Sequence, residues 1–310
     1  MASPQTSPHM SPPVPPDIVF LVQVHANPAQ FARTAASLLL VPGSALVVHV
    51  DARVDQTPFL AATEAMSGVV FVRDRVHVHW GSFSQVEATL ASVTCALSAF
   101  GEAERFCLVS GDTYPARRPA EIAEFFTAHP ERNYINCVRV PNSELNKSLS
   151  RISHVNLEHD GRTGRFLRLH GLINRYLARP WRGAFAGRVP YAGSTWWALN
   201  RQALTVILHT VDNERRFMRF YRNTCLPDEH FFQTVLANSS FEPSLAPALM
   251  YTAWNEGSPS PRTLDAAEVE RLKAVGRAVD DAYGHHELLF ARKFDDPPGE
   301  LLALVESELW

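Results

Sequence analysis

The chain has 310 residues, 46% of them hydrophobic and 20% charged, and 29 Lys and Arg against 32 Asp and Glu give a formal net charge of −3. That length accommodates one large domain or two small ones with a real core, and the slightly acidic balance excludes nucleic acid binding driven by overall charge. Cys95, Cys107, Cys137 and Cys225 stand far apart with no CxxC pair, which excludes a zinc framework or a disulfide scaffold and predicts a reducing compartment.

Residues 1–16 are rich in Ser and Pro and predict a disordered tail, because they cannot bury enough apolar surface to offset ordering entropy. No charged n-region leads into an apolar run, and no apolar stretch is long enough to span a bilayer, so a soluble, cytoplasmic protein is expected. DIVFLVQV (17–24) is a continuous apolar run, the signature of a buried parallel strand. Asn27-Pro28 breaks it, and AQFARTAASLLL reads as a helix. ALVVHVD (45–51) is a second buried strand, PFLAATEAM a short helix, and VVFVRDRVHVHWG (69–81) contains a third strand. FSQVEATLASVTCALSAF (83–100) has no Gly or Pro and is the clearest helix. RFCLVSGDTYP (105–115) is a strand running into a turn, AEIAEFFTAH a helix and NYINCVRV (133–140) a fifth strand.

Strand and helix alternate over the first 140 residues, which predicts a doubly wound α/β sheet flanked by helices. Ligands on such sheets bind at the carboxyl ends of the strands. Polar residues stand there: His25 and Asn27, His49 and Asp51, Trp80 and Gly81, and Ser110, Gly111 and Asp112. No G-x-G-x-x-G follows the first strand and no Walker A motif occurs, which argues against dinucleotide and P-loop chemistry.

From about 150 to 190 the chain carries Arg162, Arg165, Arg168, Arg175, Arg179, Arg182 and Arg188, with Trp181 among them. This reads as a solvated charged face or as a docking surface for an anionic acceptor or a membrane headgroup layer. YAGSTWWALNRQAL (191–204) reads as a strand leading into a helix. Its paired tryptophans either fill core or offer faces on which sugars stack. LPDEHFFQTV (226–235) predicts a helix with Pro227 at its first position, Asp228 and Glu229 in its first turn, and Phe231, Phe232 and Val235 on an apolar face. A carboxylate at a helix start favours the anion, which suits a general base. His230 is a rival base, because its ordinary pKa lies closer to neutral. A different class, a metal-dependent hydrolase, rests on His77 and His79 sharing one face of a strand and on His285, His286 and Glu287, but no HExxH occurs.

VHVD, WGSFSQVEATL, LVSGDTYP, GSTWWALNR, LPDEHFFQTV and LLFARKF occur in this order between residues 17 and 295. The set resembles family 14 glycosyltransferases, which comprise the core-2/I-branching β-1,6-N-acetylglucosaminyltransferases and the peptide O-xylosyltransferases. The resemblance implies a GT-A-like mixed sheet in a single large domain over 17–310. Residues 17–140 would form the nucleotide-sugar half, 141–295 the acceptor and catalytic half, and 296–310 a C-terminal helix. It further implies inverting transfer from a UDP-sugar to a glycan or glycolipid hydroxyl. N-acetylglucosamine is the leading donor sugar and xylose the alternative. A non-catalytic sugar-nucleotide-binding module on the same fold is the rival reading.

An Asp-x-Asp motif is absent, so no metal cofactor is expected. Arg262 and Lys293 match the family's basic residues that bind the diphosphate in its place. Arg292 adjoins Lys293, but alternation along an extended segment predicts that its side chain points the other way. Glu229 matches the family's catalytic acid, and Asp228 is assigned to capping the helix or orienting its neighbours. Donor contacts are expected from His49, Val50, Asp51, Asp74, Arg75, Ser110, Gly111 and Asp112. Acceptor contacts are expected from Gly193, Ser194, Trp196, Trp197, Tyr251 and Trp254. The family's animal members are membrane-anchored. Without an anchor here, an enzyme of polysaccharide biosynthesis with peripheral membrane contact through residues 162–188 is expected.

Overall fold

The computed structural model describes residues 15–156, 176–255, 258, 260–295 and 299–310. Arg162, Arg165, Arg168 and Arg175 and nearly all of the Pro-rich tail lie outside the described residues.

The first half runs β1 (Ile18–Val24), α1 (Pro28–Leu39), β2 (Ser44–Val50), α2 (Thr57–Thr63), β3 (Val69–Phe71), α3 (Ser84–Ala99), β4 (Arg105–Ser110), β5 (Tyr114–Pro115), α4 (Pro119–Ala128) and β6 (Asn133–Ile135). The second half runs β7 (Val138–Arg139), α5 (Ser150–Ser153), α6 (Trp181–Phe185), β8 (Tyr191–Ala192), β9 (Trp197–Asn200), α7 (Arg201–Asn213), α8 (Arg215–Tyr221), a 3-10 turn (Pro227–Glu229) and α9 (Phe231–Ala237). It closes with β10 (Leu245–Ala246), β11 (Met250–Thr252), α10 (Ala266–Val275), the hairpin β12 (Ala278–Asp281) and β13 (Gly284–Glu287), β14 (Phe290–Arg292) and α11 (Glu300–Leu309).

The main sheet has seven strands in the order β10-β6-β9-β4-β1-β2-β3. β1 pairs in parallel with β2 and β4, β2 pairs in parallel with β3, and β9 is antiparallel to both β4 and β6. The chain is therefore a mixed α/β domain, as the alternating pattern predicts. The apolar runs are explained by burial on both faces. Val19, Leu21, Val47, Phe106 and Leu108 enter one core with Val86, Val93 and Phe231. Ile18, Phe20, Val22, Leu46, Val48 and Val109 enter the other with Phe31, Leu38 and Ile122. This separation follows the two-residue period of a strand. A third core, with Tyr114, Leu264, Leu272, Phe294 and Leu302, backs a small sheet in the order β11-β14-β5.

Three sequence expectations are corrected. Residues 133–140 form two short strands in different sheets, because β6 pairs with β9 while Val138–Arg139 pairs with β8. Asn136 sits between them, where its Oδ1 accepts the Ala248 N–H (2.8 Å). The third strand ends at Phe71, so His77 and His79 are not on a strand. The chain beyond it is tied down by side chains, with the Val76 N–H donating to His49 Nε2 (2.9 Å) and the Val78 N–H to Asp51 Oδ1 (3.4 Å). Residues 227–235 are not one helix: the 3-10 turn stops at His230 (φ −130°) before α9 begins.

Candidate active site

Glu229 rides on the 3-10 turn, and the turn is set by the residue before it. Leu226 is left-handed (φ 49°), and its N–H donates to the Gly81 carbonyl (3.0 Å). Gly81 N–H in turn donates to Gln85 Oε1 (2.5 Å) at the start of α3, and Gln85 Nε2 reaches Asp228 Oδ2 (3.4 Å). Thr195 Oγ1 donates to the same Asp228 oxygen (2.6 Å). Asp228 is buried, and burial, reinforced by the neighbouring Glu229 charge, pushes its carboxyl up to about 6. It anchors the turn to α3 and to the β8–β9 loop, the orienting role that the sequence offered as the alternative to capping. His230 is fully buried, and burial lowers its imidazole to about 3. That removes it as a rival base, because it faces the core.

Two cations that sequence reasoning missed hold Glu229. Lys147 Nζ and Arg151 Nη1 each lie 2.7 Å from Glu229 Oε2. Lys147 also donates to the Gly193 carbonyl (2.5 Å), and the Gly193 N–H donates to the Glu229 carbonyl (2.8 Å). Gly193 is required here: an added Cβ would lie 1.5 Å from the Asn136 carbonyl oxygen. Ser194 contributes its carbonyl, which accepts from Gln233 Nε2 (2.7 Å).

A second cluster forms where β4 meets β14. Gly111 lets the SGD turn pack on β1, since a Cβ there would sit 2.5 Å from Val24 Cγ1. Asp112 accepts from Arg292 Nη2 (3.2 Å) and lies 4.0 Å from Lys293 Nζ. Arg292 Nε donates to Ser110 Oγ (3.0 Å), and the guanidinium lies over Trp196, 4.5 Å from its ring centre. Arg292 thus points into the same cluster as Lys293. The expectation that it points away is corrected, because β14 ends at Arg292 and strand alternation does not carry into Lys293. The Leu264 N–H donates to the Lys293 carbonyl (2.8 Å), which brings the Arg262 segment alongside. Arg262 itself is bonded to Glu268 and lies 3.4 Å from Asp265.

The β8–β9 loop joins the two clusters. Within four residues it contacts Glu229 through Gly193, Asp228 through Thr195 and Arg292 through Trp196.

The remaining sequence candidates divide. His49 and Asp51 stand at the carboxyl end of β2 but face inward. Burial lowers His49 to about 4, so it is a neutral acceptor. Burial works to raise Asp51, but hydrogen bonds from Arg53 and Val78 outweigh it and leave the carboxyl below its ordinary value. Arg75 donates to the Asp51 and Val54 carbonyls (3.3 and 3.0 Å), so it braces that loop, and Asp74 is exposed. Val50 is wholly buried, backbone included, so its assignment to donor contact is corrected: it is part of the sheet core.

Trp197 is 3% exposed and packs on Phe232, so its assignment to acceptor stacking is corrected: it fills core. Tyr251 is likewise reassigned, because its hydroxyl donates to buried Glu268. Trp254 is 57% exposed beside the Arg262 segment, and Trp80 is 74% exposed next to Gly81. Arg179 is not part of a charged face. It donates to the Ile152 and Phe220 carbonyls and to Thr224, and burial lowers it to about 10. Among the described residues no three His, Cys, Asp or Glu side chains converge as a metal site, and no helix is long and apolar enough to cross a membrane.

A mixed sheet with an acid and a cationic cluster at its carboxyl edge is thus the framework of the site. The chain belongs to the Core-2/I-Branching enzyme family, whose model matches residues 18–274. Human xylosyltransferase 2 is 25% identical over 318 residues, covering 96% of this chain and 34% of that protein. Drosophila melanogaster xylosyltransferase oxt is 22% identical over 320 residues, covering 94% and 33%. The chain thus spans about a third of the length of these curated relatives. Among solved structures, 4-diphosphocytidyl-2C-methyl-D-erythritol synthase aligns with a TM-score of 0.33 at 10% identity over 66% of this chain and 84% of that one, too weak a likeness to carry an argument.

Proposed function

We propose that the protein transfers a sugar from a UDP-sugar to a hydroxyl of a glycan or glycolipid acceptor, with inversion, without a metal and with Glu229 as general base. The observation that carries this reading is the β8–β9 loop, which fixes the Glu229 turn and the Arg292–Lys293 cluster to one another. Inverting displacement needs a base on one side of the anomeric carbon and positive charge on the departing diphosphate on the other.

Lys147 and Arg151 both grip Glu229 Oε2, so Oε1 is the oxygen assigned to the acceptor proton. As the new C–O bond forms and the bond to the diphosphate breaks, the acceptor proton passes to Glu229. The charge developing on the diphosphate is met by Arg292, Lys293 and Arg262, whose donors suit phosphate oxygens. Asp112 holds Arg292 and Lys293, and the incoming diphosphate competes with it for them. Ser110 and Gly111 lie beside this cluster and are assigned to the donor sugar.

The sequence resemblance led with N-acetylglucosamine. The relatives' names support xylose as the transferred sugar, and both donors belong in the assay. Calorimetric titration with UDP in EDTA tests the donor assignment. Binding that is lost in Arg292→Ala supports it, and no binding by the wild-type protein overturns it.

Peripheral contact with an anionic membrane is proposed on a revised set of residues. Arg182 on α6 and Arg215, Arg216 and Arg219 on α8 are exposed, while Phe217 and Tyr221 anchor α8 from its buried side. Co-sedimentation with phosphatidylglycerol vesicles, absent with phosphatidylcholine vesicles and in a variant with all four changed to Gln, supports it. Equal pelleting of that variant overturns it.

A further inference from the structure

We propose that Glu268 is a positioning residue that presets Arg262 for the donor diphosphate. This rests on the reading of the Arg262–Lys293 cluster as a diphosphate site. Glu268 lies in the first turn of α10, where its N–H donates to the Asp265 cap (3.0 Å), and its side chain is wholly buried. A carboxylate out of water is strongly unfavourable unless it is paired and hydrogen-bonded. It has three partners: Arg262 Nη2, Arg271 Nη1 (2.7 Å) and the Tyr251 hydroxyl.

Neutralising one buried carboxylate requires one cation, and Arg271 on the same helix, with its side chain 68% exposed, already supplies it. Arg262 is the second cation, and it comes from outside the helix. Its N–H is tied to the Ala253 carbonyl (3.0 Å), and two residues later Leu264 is tied to Lys293 (2.8 Å). Its backbone is therefore fixed beside the cluster whatever Glu268 does. What Glu268 fixes is the guanidinium. Without it, the acid left to Arg262 is Asp265, to which Nη1 already donates at 3.4 Å. Asp265 is 61% exposed, so alone it would hold the guanidinium only loosely.

With Glu268 in place, Nη2 is held by the buried carboxylate and Nη1 is braced by Asp265, so the ordering cost of a long side chain is met before the donor arrives. Arg271 keeps Glu268 neutralised while Arg262 shares its charge with phosphate. Tyr251 fixes the carboxylate from the other side, which accounts for its place in the network.

The test is calorimetry with UDP and with uridine, which lacks the diphosphate, on the wild type, Arg262→Ala, Glu268→Gln and Glu268→Asp. Glu268→Asp keeps the buried charge beside Arg271 but withdraws it by one methylene. Both Glu268 variants are expected to lose about tenfold in UDP affinity, the scale of one long side chain left unordered, while uridine affinity stays unchanged. Arg262→Ala should lose at least as much. Two results overturn the inference. In one, the Glu268 variants keep the wild-type UDP-to-uridine ratio while Arg262→Ala loses it. In the other, UDP and uridine affinities fall in parallel, as a purely structural defect would make them. A wild-type protein that does not prefer UDP to uridine instead removes the diphosphate reading on which the inference stands.

Discussion

Replacing Glu229 with Gln separates the two halves of the proposed mechanism. The amide keeps the size of the side chain and one acceptor oxygen, so Lys147 or Arg151 retains a hydrogen bond to a now neutral acceptor. Lys147 also keeps the Gly193 carbonyl at 2.5 Å. The lost charge matters more than the lost bond. Both cations are largely buried, with side chains 10% and 19% exposed, and the carboxylate itself is 23% exposed. Solvent at that exposure screens part of the pairing, so the stability cost is about 1–2 kcal/mol, below that of breaking a fully buried pair. The fold survives such a loss.

The chemical step should lose far more. A positioned general base contributes about 10²–10⁴-fold, which corresponds to about 3–5 kcal/mol of activation free energy. Donor binding should not change, because the bonds to the Glu229 carboxylate come from Lys147 and Arg151 and none comes from Ser110, Asp112, Arg292 or Lys293. The assay pairs UDP release in the presence of acceptor with calorimetric UDP titration. Transfer reduced about a thousandfold, with UDP affinity held within about twofold, is the expected pattern. Transfer within about tenfold of wild type would refute the reasoning, since no general base leaves so small a deficit.

Further expectations concern the surrounding residues. Arg292→Ala removes the bonds to Ser110 and Asp112 and the contact over Trp196; steady-state kinetics with varied UDP-sugar should show the donor KM rising about tenfold or more, and an unchanged KM would detach Arg292 from the donor. Gly193→Ala places a Cβ 1.5 Å from the Asn136 carbonyl oxygen, so thermal denaturation should show a loss of several kcal/mol, roughly 4 or more, or no soluble protein at all. Asp228 has a folded pKa raised from 3.8 to about 6. The native state therefore binds this proton more tightly than the unfolded chain, and the contribution is complete below about pH 4 and lost as pH rises through about 6. Relative to Asp228→Asn, which cannot titrate, wild-type stability from urea unfolding should fall by up to about 3 kcal/mol across that window. A flat difference would mean that Asp228 is not the titrating group.

The sheet was legible because its strands are buried on both faces, so DIVFLVQV, ALVVHV and RFCLVS are unbroken apolar runs. The acid of the site was legible because Pro227, Asp228 and Glu229 are contiguous. Lys147 and Arg151 were not legible. They lie 82 and 78 residues from Glu229 in sequence, Lys147 in a loop and Arg151 on the four-residue helix α5, too short to show a periodic pattern, and only the tertiary fold makes them its partners. Arg292 was misread because period-two alternation was extended past the end of a three-residue strand. Trp196 and Trp197 were not told apart because Trp196 precedes β9: Trp197 is buried on the strand, while Trp196 is only partly buried and lies beneath Arg292. Residues 133–140 misled because an apolar run does not reveal that its two ends pair in different sheets. At the break, Asn136 accepts from the Ala248 N–H and its carbonyl lies against the bare backbone of Gly193.

The central claim is metal-independent transfer from a UDP-sugar, and UDP release from UDP-xylose and UDP-N-acetylglucosamine in the presence of EDTA tests it most directly. The account predicts turnover of one of these donors that EDTA leaves unchanged and that Glu229→Gln abolishes. Turnover that disappears with EDTA and returns with a divalent metal would contradict it, because the charge on the leaving diphosphate would then be met by that metal rather than by Arg262, Arg292 and Lys293.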